Sequence, residues 1–224
     1  MERENQAAEG KGRKIHYADL LWLYVVGSLA GMVFEGTYCL IAKGAWETHV
    51  VSMFFPLCIL YGLGFVGFYV GGKLLEGKNL FFRFAAFALV GAGIELITAW
   101  ILEVGVRMYA WNYARSFANY RGVICLRMTL VWGALGVAFG YTVPLFDRLF
   151  EKLQNDRHPR IICLVTILLI MDLAFAIQVI HRWSGRHYGD AGDTRFGRWI
   201  DAHYDDAYMK DRFIEWRFMD HPKK

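Results

Sequence analysis

The chain has 224 residues, 56% of them hydrophobic and 17% aromatic, and a formal net charge of +4. Its charged residues, 21% of the total, gather between apolar runs, which excludes a soluble globular domain. So modest a positive charge, placed beside apolar segments, gives a nucleic-acid partner nothing to bind. The length suits one membrane helix bundle with a tail and is short for two bundles plus a catalytic domain.

Residues 1–18 form a charged segment with neither an apolar h-region nor a small-residue cleavage site, so the first span is expected to act as the insertion signal and to be kept. Five apolar segments follow, at about Asp19 to Ala42, Val51 to Gly72, Leu80 to Val106, Val123 to Pro144 and Ile161 to Ile180, each near the length that crosses a lipid bilayer. The expected fold is all-α: a polytopic transmembrane helix bundle of about five spans over residues 19–180, then a polar, aromatic-rich C-terminal tail over 181–224. Five spans put the termini on opposite sides. Ten basic residues fall on one face (Arg3, Lys11, Arg13, Lys14, Lys73, Lys78, Arg148, Lys152, Arg157, Arg160). Eight fall on the other (Lys43, Arg107, Arg115, Arg121, Arg182, Arg186, Arg195, Arg198). The balance favours a cytoplasmic N-terminus and an external tail in a multi-pass protein of the plasma (cytoplasmic) membrane, with the reverse orientation open because the tail is itself basic.

Within the spans, small residues recur every four positions, which stacks them on one helix face and lets helices approach closely. The first span carries Gly27 and Gly31 followed by Glu35, the second Gly67 and Gly71, the third Gly91 followed by Glu95, and the fourth Gly136 and Gly140. Packing is the expected use of these faces, and the Gly27/Gly31 face is a candidate for homodimer contact, since five spans make a thin wall for a complete pathway.

Among the ionisable residues of the apolar segments, Glu35, Glu95, Glu103, Arg127 and Asp172 form the candidate set. A charge near the bilayer centre costs roughly 2.5–3.5 kcal/mol on insertion scales, so each is expected to face a partner, a cavity or a pathway. Glu103 lies eight residues beyond Glu95, about 80° round the helix and roughly 12 Å along it, so the two cannot touch. Arg127, at the start of the fourth span, is placed to neutralise Glu103. Glu35 and Asp172 sit past the middle of alternating spans and approach opposite faces, so they are not expected to pair. Glu95 and Glu35, each on a small-residue face, lead as groups that could line a polar route.

Cys39, Cys58, Cys125 and Cys163 lie in or beside apolar segments without CxxC spacing and read as small buried hydrophobes. His181, His187 and His203 and the tail aspartates show no ligand spacing, so no metal and no cofactor is expected. In the tail, Phe196, Trp199, Ile200, Tyr204, Ala207, Ile214 and Phe218 fall roughly on one helical face, as in an interfacial helix or one packed on the bundle or a partner.

Between the third and fourth segments the chain carries Trp111, Asn112 and Tyr113, then Phe117 and Asn119, then Gly122, Ile124, Cys125 and Leu126, with Trp132 and Gly133 further on. Aromatics in such a loop naturally occupy the headgroup level. Order and spacing together resemble the family described as Putative ABC-transporter type IV, in which a glutamate-bearing helix precedes a Trp-Asp-Tyr element, a Phe-Asn element, a Gly-Arg-Ile-Cys-Leu element and a Trp-Gly pair. The counterpart helix here has Glu95, Trp100 and Glu103. Upstream, the resemblance includes Gly31, Glu35, Pro56, Cys58, Tyr61, Gly62 and Gly64, and it covers about Tyr17 to Leu149. Departures are Asn112 for the family's Asp, Phe55 and Ile59 where Gly and Pro are usual, and a missing Asn-Arg-Gly before them. The fifth segment and the tail fall outside it.

The resemblance implies a permease-like transport component. The chain has no GxxxxGK[ST] phosphate loop, so ATP-driven transport would need a separate nucleotide-binding subunit. That subunit's expected docking segment is Pro144 to Arg160, where Leu145, Leu149, Lys152 and Leu153 recur at helical spacing, and the same stretch reads equally as an overhang of the fourth span. Two other readings stand beside it. One is a non-enzymatic assembly protein using its glycine faces and aromatic tail. The other is a membrane enzyme using Glu35 or Glu95 as acid or base on an apolar substrate, which lacks a nucleophile, a metal set or a paired-carboxylate motif.

Overall fold

The computed structural model describes residues 13–47, 50–153 and 158–220. Most of the N-terminal segment, with Arg3 and Lys11, together with Arg157 and the last four residues, lies outside the described residues. The described chain is mostly helical. In order it forms α1 (Tyr17–Lys43), α2 (Ile59–Leu74), α3 (Leu80–Val106), α4 (Leu126–Gly140), α5 (Val143–Lys152), α6 (Pro159–Tyr188), α7 (Arg195–His203) and α8 (Asp206–Arg212). Four two-residue strands are interleaved: β1 (Met108–Tyr109), β2 (Asn119–Tyr120), β3 (Ile124–Cys125) and β4 (Arg217–Phe218).

Among the described residues, three helices are long and apolar enough to cross a membrane: the segments Tyr17–Ala42, Leu80–Val106 and Pro159–Tyr188. α4 and α5 make a fourth if the pair, bent by 48°, is one span. The bend has a local cause. Pro144 cannot donate to the carbonyl of Gly140 and its ring crowds that carbonyl, while Thr142 Oγ1 donates to Phe139 O (2.7 Å). α2, with 16 residues, spans about 24 Å and is shorter than a full crossing.

Neighbouring helices meet through glycine. A Cβ on Gly27 would fall on the Phe65 ring and one on Gly31 on Tyr61, so this face of α1 is filled by α2 of the same chain and is not free for a dimer. The short connection brings α2 to that face before any second copy can reach it. Between α3 and α4, Gly91 receives Trp132, Gly133 receives Phe84, and Gly136 receives Phe87, which also covers Gly71. Gly140 lies against Arg83, whereas Gly67 has nothing within 4 Å. Phe68, Phe87 and Trp132 form the central cluster, and Leu23, Tyr69, Val143 and Phe150 a second at the end where α1 begins. That end also holds Arg13 against Asp19 (2.7 Å), and Tyr69 (2.5 Å) and Lys73 (2.6 Å) on Asp147.

α6 does not stop at Ile180 but continues to Tyr188, and the chain beyond it folds back onto it. Val106, Met108, Val179, Ile180, Trp183, Ile200, Met209, Phe213, Trp216 and Phe218 make a third core. β4 pairs antiparallel with β1 (Met108 with Phe218, Tyr109 with Arg217), and Ser184 Oγ donates to Val106 O at 2.5 Å. The single aromatic face expected of the tail is divided. Ile200 and Phe218 are buried while Phe196, Trp199 and Ile214 are exposed, because Asp205 caps a new helix (Tyr208 N to Oδ1, 2.8 Å) and resets the phase between α7 and α8.

Arg182 and Arg186 of α6 both hold Asp201 of α7, at 2.6 and 2.5 Å. The hydrogen bond from Arg182, then that from Arg186, outweighs burial and holds the Asp201 carboxyl below its usual range. A depressed carboxylate pKa stabilises the fold fully above the unfolded value of about 4, and that stabilisation is lost as pH falls through the folded value. The C-terminal core is therefore expected to loosen below about pH 4, with Asp201→Asn removing that acid-dependent step, as followed by tryptophan fluorescence.

Candidate functional site

The loop from Arg107 to Cys125 is tied by its own side chains. β2 and β3 pair through Tyr120 with Ile124, and Val123 N donates to Tyr120 O (3.0 Å) across Arg121 and Gly122. Both central residues have positive φ, 54° and 69°, as a hairpin turn matching the strand twist requires. Gly122 is needed twice, since a Cβ there would also press on Asn112 Oδ1 at 2.8 Å. Asn119 Nδ2 donates to Ala114 O (3.1 Å) and Ser116 O (2.9 Å), and its Oδ1 accepts from Gly122 N (3.0 Å). Trp111 Nε1 donates to Val123 O (2.8 Å), and Tyr113 N to Gly122 O (2.8 Å). Asn112 Oδ1 accepts from Ala114 N (2.9 Å), an acceptor's task that needs no charge. Phe117 is exposed at the loop's tip.

These bonds converge on Tyr113, whose Oη donates to Glu95 Oε1 at 3.2 Å. Glu95 is 2% exposed, and its Oε2 is enclosed with no hydrogen bond among the described residues. Trp132 lies beside the carboxyl, and its buried Nε1 likewise makes no bond of proper geometry. Gly91, one turn before Glu95, gives the indole its place. Burial, then the neighbouring Glu95, pushes the Tyr113 phenol up, which keeps it a proton donor to the acid. Three elements, α3, the loop and α4, thus supply one acid, one phenol and one indole.

Glu35 is half-buried beside Tyr61, with Cys58 and Cys39 close by. Each of the two leading acids therefore has its own tyrosine, on different helix pairs. Cys39, Cys58 and Cys125 are buried; Cys163 is exposed on α6, at variance with a uniformly buried set. Among the described residues no three His, Cys, Asp or Glu side chains gather as metal ligands.

The other acids have structural partners. Glu103 bonds Arg121 of the hairpin (3.0 Å), while Arg127, expected to neutralise it, lies exposed with its charge felt by Tyr113. The loop folds back over the end of α3 and so brings Arg121 to Glu103 first. Asp172, 4% exposed, accepts Ser52 Oγ, Met53 N (3.0 Å) and Phe54 N (2.9 Å). Ser52 Oγ in turn accepts from Phe55 N (3.1 Å), and Arg212 donates to Ser52 O. Asp172 thus anchors the segment before α2 to α6. Sequence reasoning missed Ser52, 120 positions away, for which no local signal exists, and Trp132 as Glu95's neighbour, for which the four-residue step from Gly91 was the available hint.

A protein-family model described as Putative ABC-transporter type IV matches residues 22–177, more than half of the chain and most of α6, which the sequence reading had left outside. Comparison with the curated proteins and with solved structures returns no match.

Proposed function

Because this chain belongs to the Putative ABC-transporter type IV family, we propose that it is a permease-like transport component of the plasma membrane that draws its energy from a separate nucleotide-binding subunit. One observation carries the reading. An acid deep in a 27-residue apolar helix has one oxygen held by a loop tyrosine and the other enclosed beside the Trp132 indole without a bond of proper geometry. A group intended only as a structural contact would be expected to have both oxygens satisfied, since an unmet buried acceptor costs about 1–3 kcal/mol. Glu95 is instead the polar centre of a route that is closed here, and withdrawal of Tyr113 with its loop opens it. Glu35, with Tyr61, forms a second polar step.

Counting α2 as a short crossing gives five spans, with residues 19–180 as the bundle, residues 181–224 as the tail and the N-terminus cytoplasmic. On that face α5 is held inward by Asp147 and Phe150 and leaves Leu145, Leu149 and Leu153 exposed, a stripe suited to the partner ATPase. A homodimer would have to use a face other than Gly27/Gly31. The assembly-protein reading draws on α6, whose apolar stretch is mostly exposed.

The test is affinity purification in mild detergent of the wild type, Glu95→Gln and Tyr113→Phe. The expected result is one ATPase subunit retained by all three, with ATP turnover lowered by on the order of tenfold in Glu95→Gln and less in Tyr113→Phe. A well-behaved preparation that carries no ATPase would sink the transport reading and leave the assembly reading.

A further inference from the structure

Arg83 sits in the first turn of α3, about 4.5 Å along the axis from the start of a helix whose remaining residues up to Ala99 include one charge, Glu95. Helical side chains lean toward the N-terminus, and this one reaches across to the end of α4. Its Nη2 lies against Gly140, and its guanidinium carbon stands 5.7 Å from the centre of the Tyr141 ring. Among the described residues it has neither a carboxylate nor any hydrogen-bond acceptor, and its Nε is enclosed without a partner. Other cations of the chain contrast with it. Lys73 is neutralised by Asp147, Arg13 by Asp19 and Arg121 by Glu103.

A guanidinium at the head of an apolar helix is costly without an anion, and the described residues supply none. Val90 and Ile97, about two and four turns along the same side of α3, are exposed, a wall of hydrocarbon beneath one cation. We propose that Arg83 and Tyr141 hold the phosphate of an anionic phospholipid, its headgroup on the guanidinium fork and its acyl chains along α3. The fork matches two phosphate oxygens, and the ring keeps the guanidinium in place from one side. A free phosphate shares the headgroup's chemistry but gains nothing from the apolar wall, which is why the lipid is favoured. The site is independent of Glu95, and its failure leaves the transport reading untouched.

The full chain is exchanged into detergent with phosphatidylglycerol or phosphatidylcholine, and bound lipid is counted by native mass spectrometry. Wild type is expected to retain one phosphatidylglycerol, with occupancy lowered on the order of tenfold in Arg83→Gln, less in Arg83→Lys, and unchanged in Arg148→Gln, an exposed cation of α5. Tyr141→Leu, at an exposed position where folding is not at stake, is expected to weaken retention as well. Equal retention by wild type, Arg83→Gln and Tyr141→Leu overturns the proposal. So does displacement of the lipid by millimolar inorganic phosphate, which would make the site one for a soluble anion.

Discussion

Gly91→Ile is expected to destabilise the protein by about 3 kcal/mol or more, and Gly93→Ala by less than about 0.5 kcal/mol. The contrast comes from their surroundings. The first Cβ at position 91 would occupy the space of Trp132 Cβ and Cγ, whereas Gly93, two residues along the same helix, has nothing within 4 Å. Trp132 also packs on Phe68 and over Gly64, so displacing it breaks the central cluster and removes the indole from Glu95 together. In a membrane, helix association depends on such close packing, because lipid is as apolar as the side chains that would be exposed. Thermal denaturation in detergent of the two variants checks this. Similar midpoints would mean that α3 and α4 do not meet through Gly91.

Asp172→Ala is the second large effect, with an expected loss of about 3 kcal/mol. It strands three donors at once, Ser52 Oγ and the amides of Met53 and Phe54, in a segment that also receives Arg212. Asp172→Asn keeps an acceptor for the two amides and is expected to cost less than half as much. Limited proteolysis between residues 50 and 57 gives a second readout, since release of the segment should expose it to cleavage in the Ala variant. If both variants behave as wild type in stability while altering ATP turnover, Asp172 belongs to the polar route and not to the scaffold.

Much of the bundle was legible because its determinants are local. Apolar length marked α1, α3 and α6, and the four-residue glycine steps marked the faces that now hold Phe65, Tyr61, Trp132 and Phe87. The oddity of an acid in the run from Leu80 to Val106 pointed to Glu95 without any fold, since the cost of a charge in hydrocarbon does not depend on its neighbours. Loop residues Trp111, Asn112, Tyr113, Asn119, Gly122 and Cys125 were legible only as a pattern. Their task, closing a hairpin that sets one phenol on one carboxylate, is a property of bonds between residues up to 18 positions apart.

The sequence by itself determined that this is a helical membrane protein with a buried acid at its centre, because hydropathy and periodicity are summed along the chain. Tertiary structure alone decided who meets whom. Arg121 and not Arg127 answers Glu103, Asp172 serves Ser52, α2 fills the Gly27/Gly31 face, and the tail closes a core with Met108 and Trp183. Those choices depend on helix rotation and level, which shift by 100° and about 1.5 Å with each residue, so they follow from packing and not from composition.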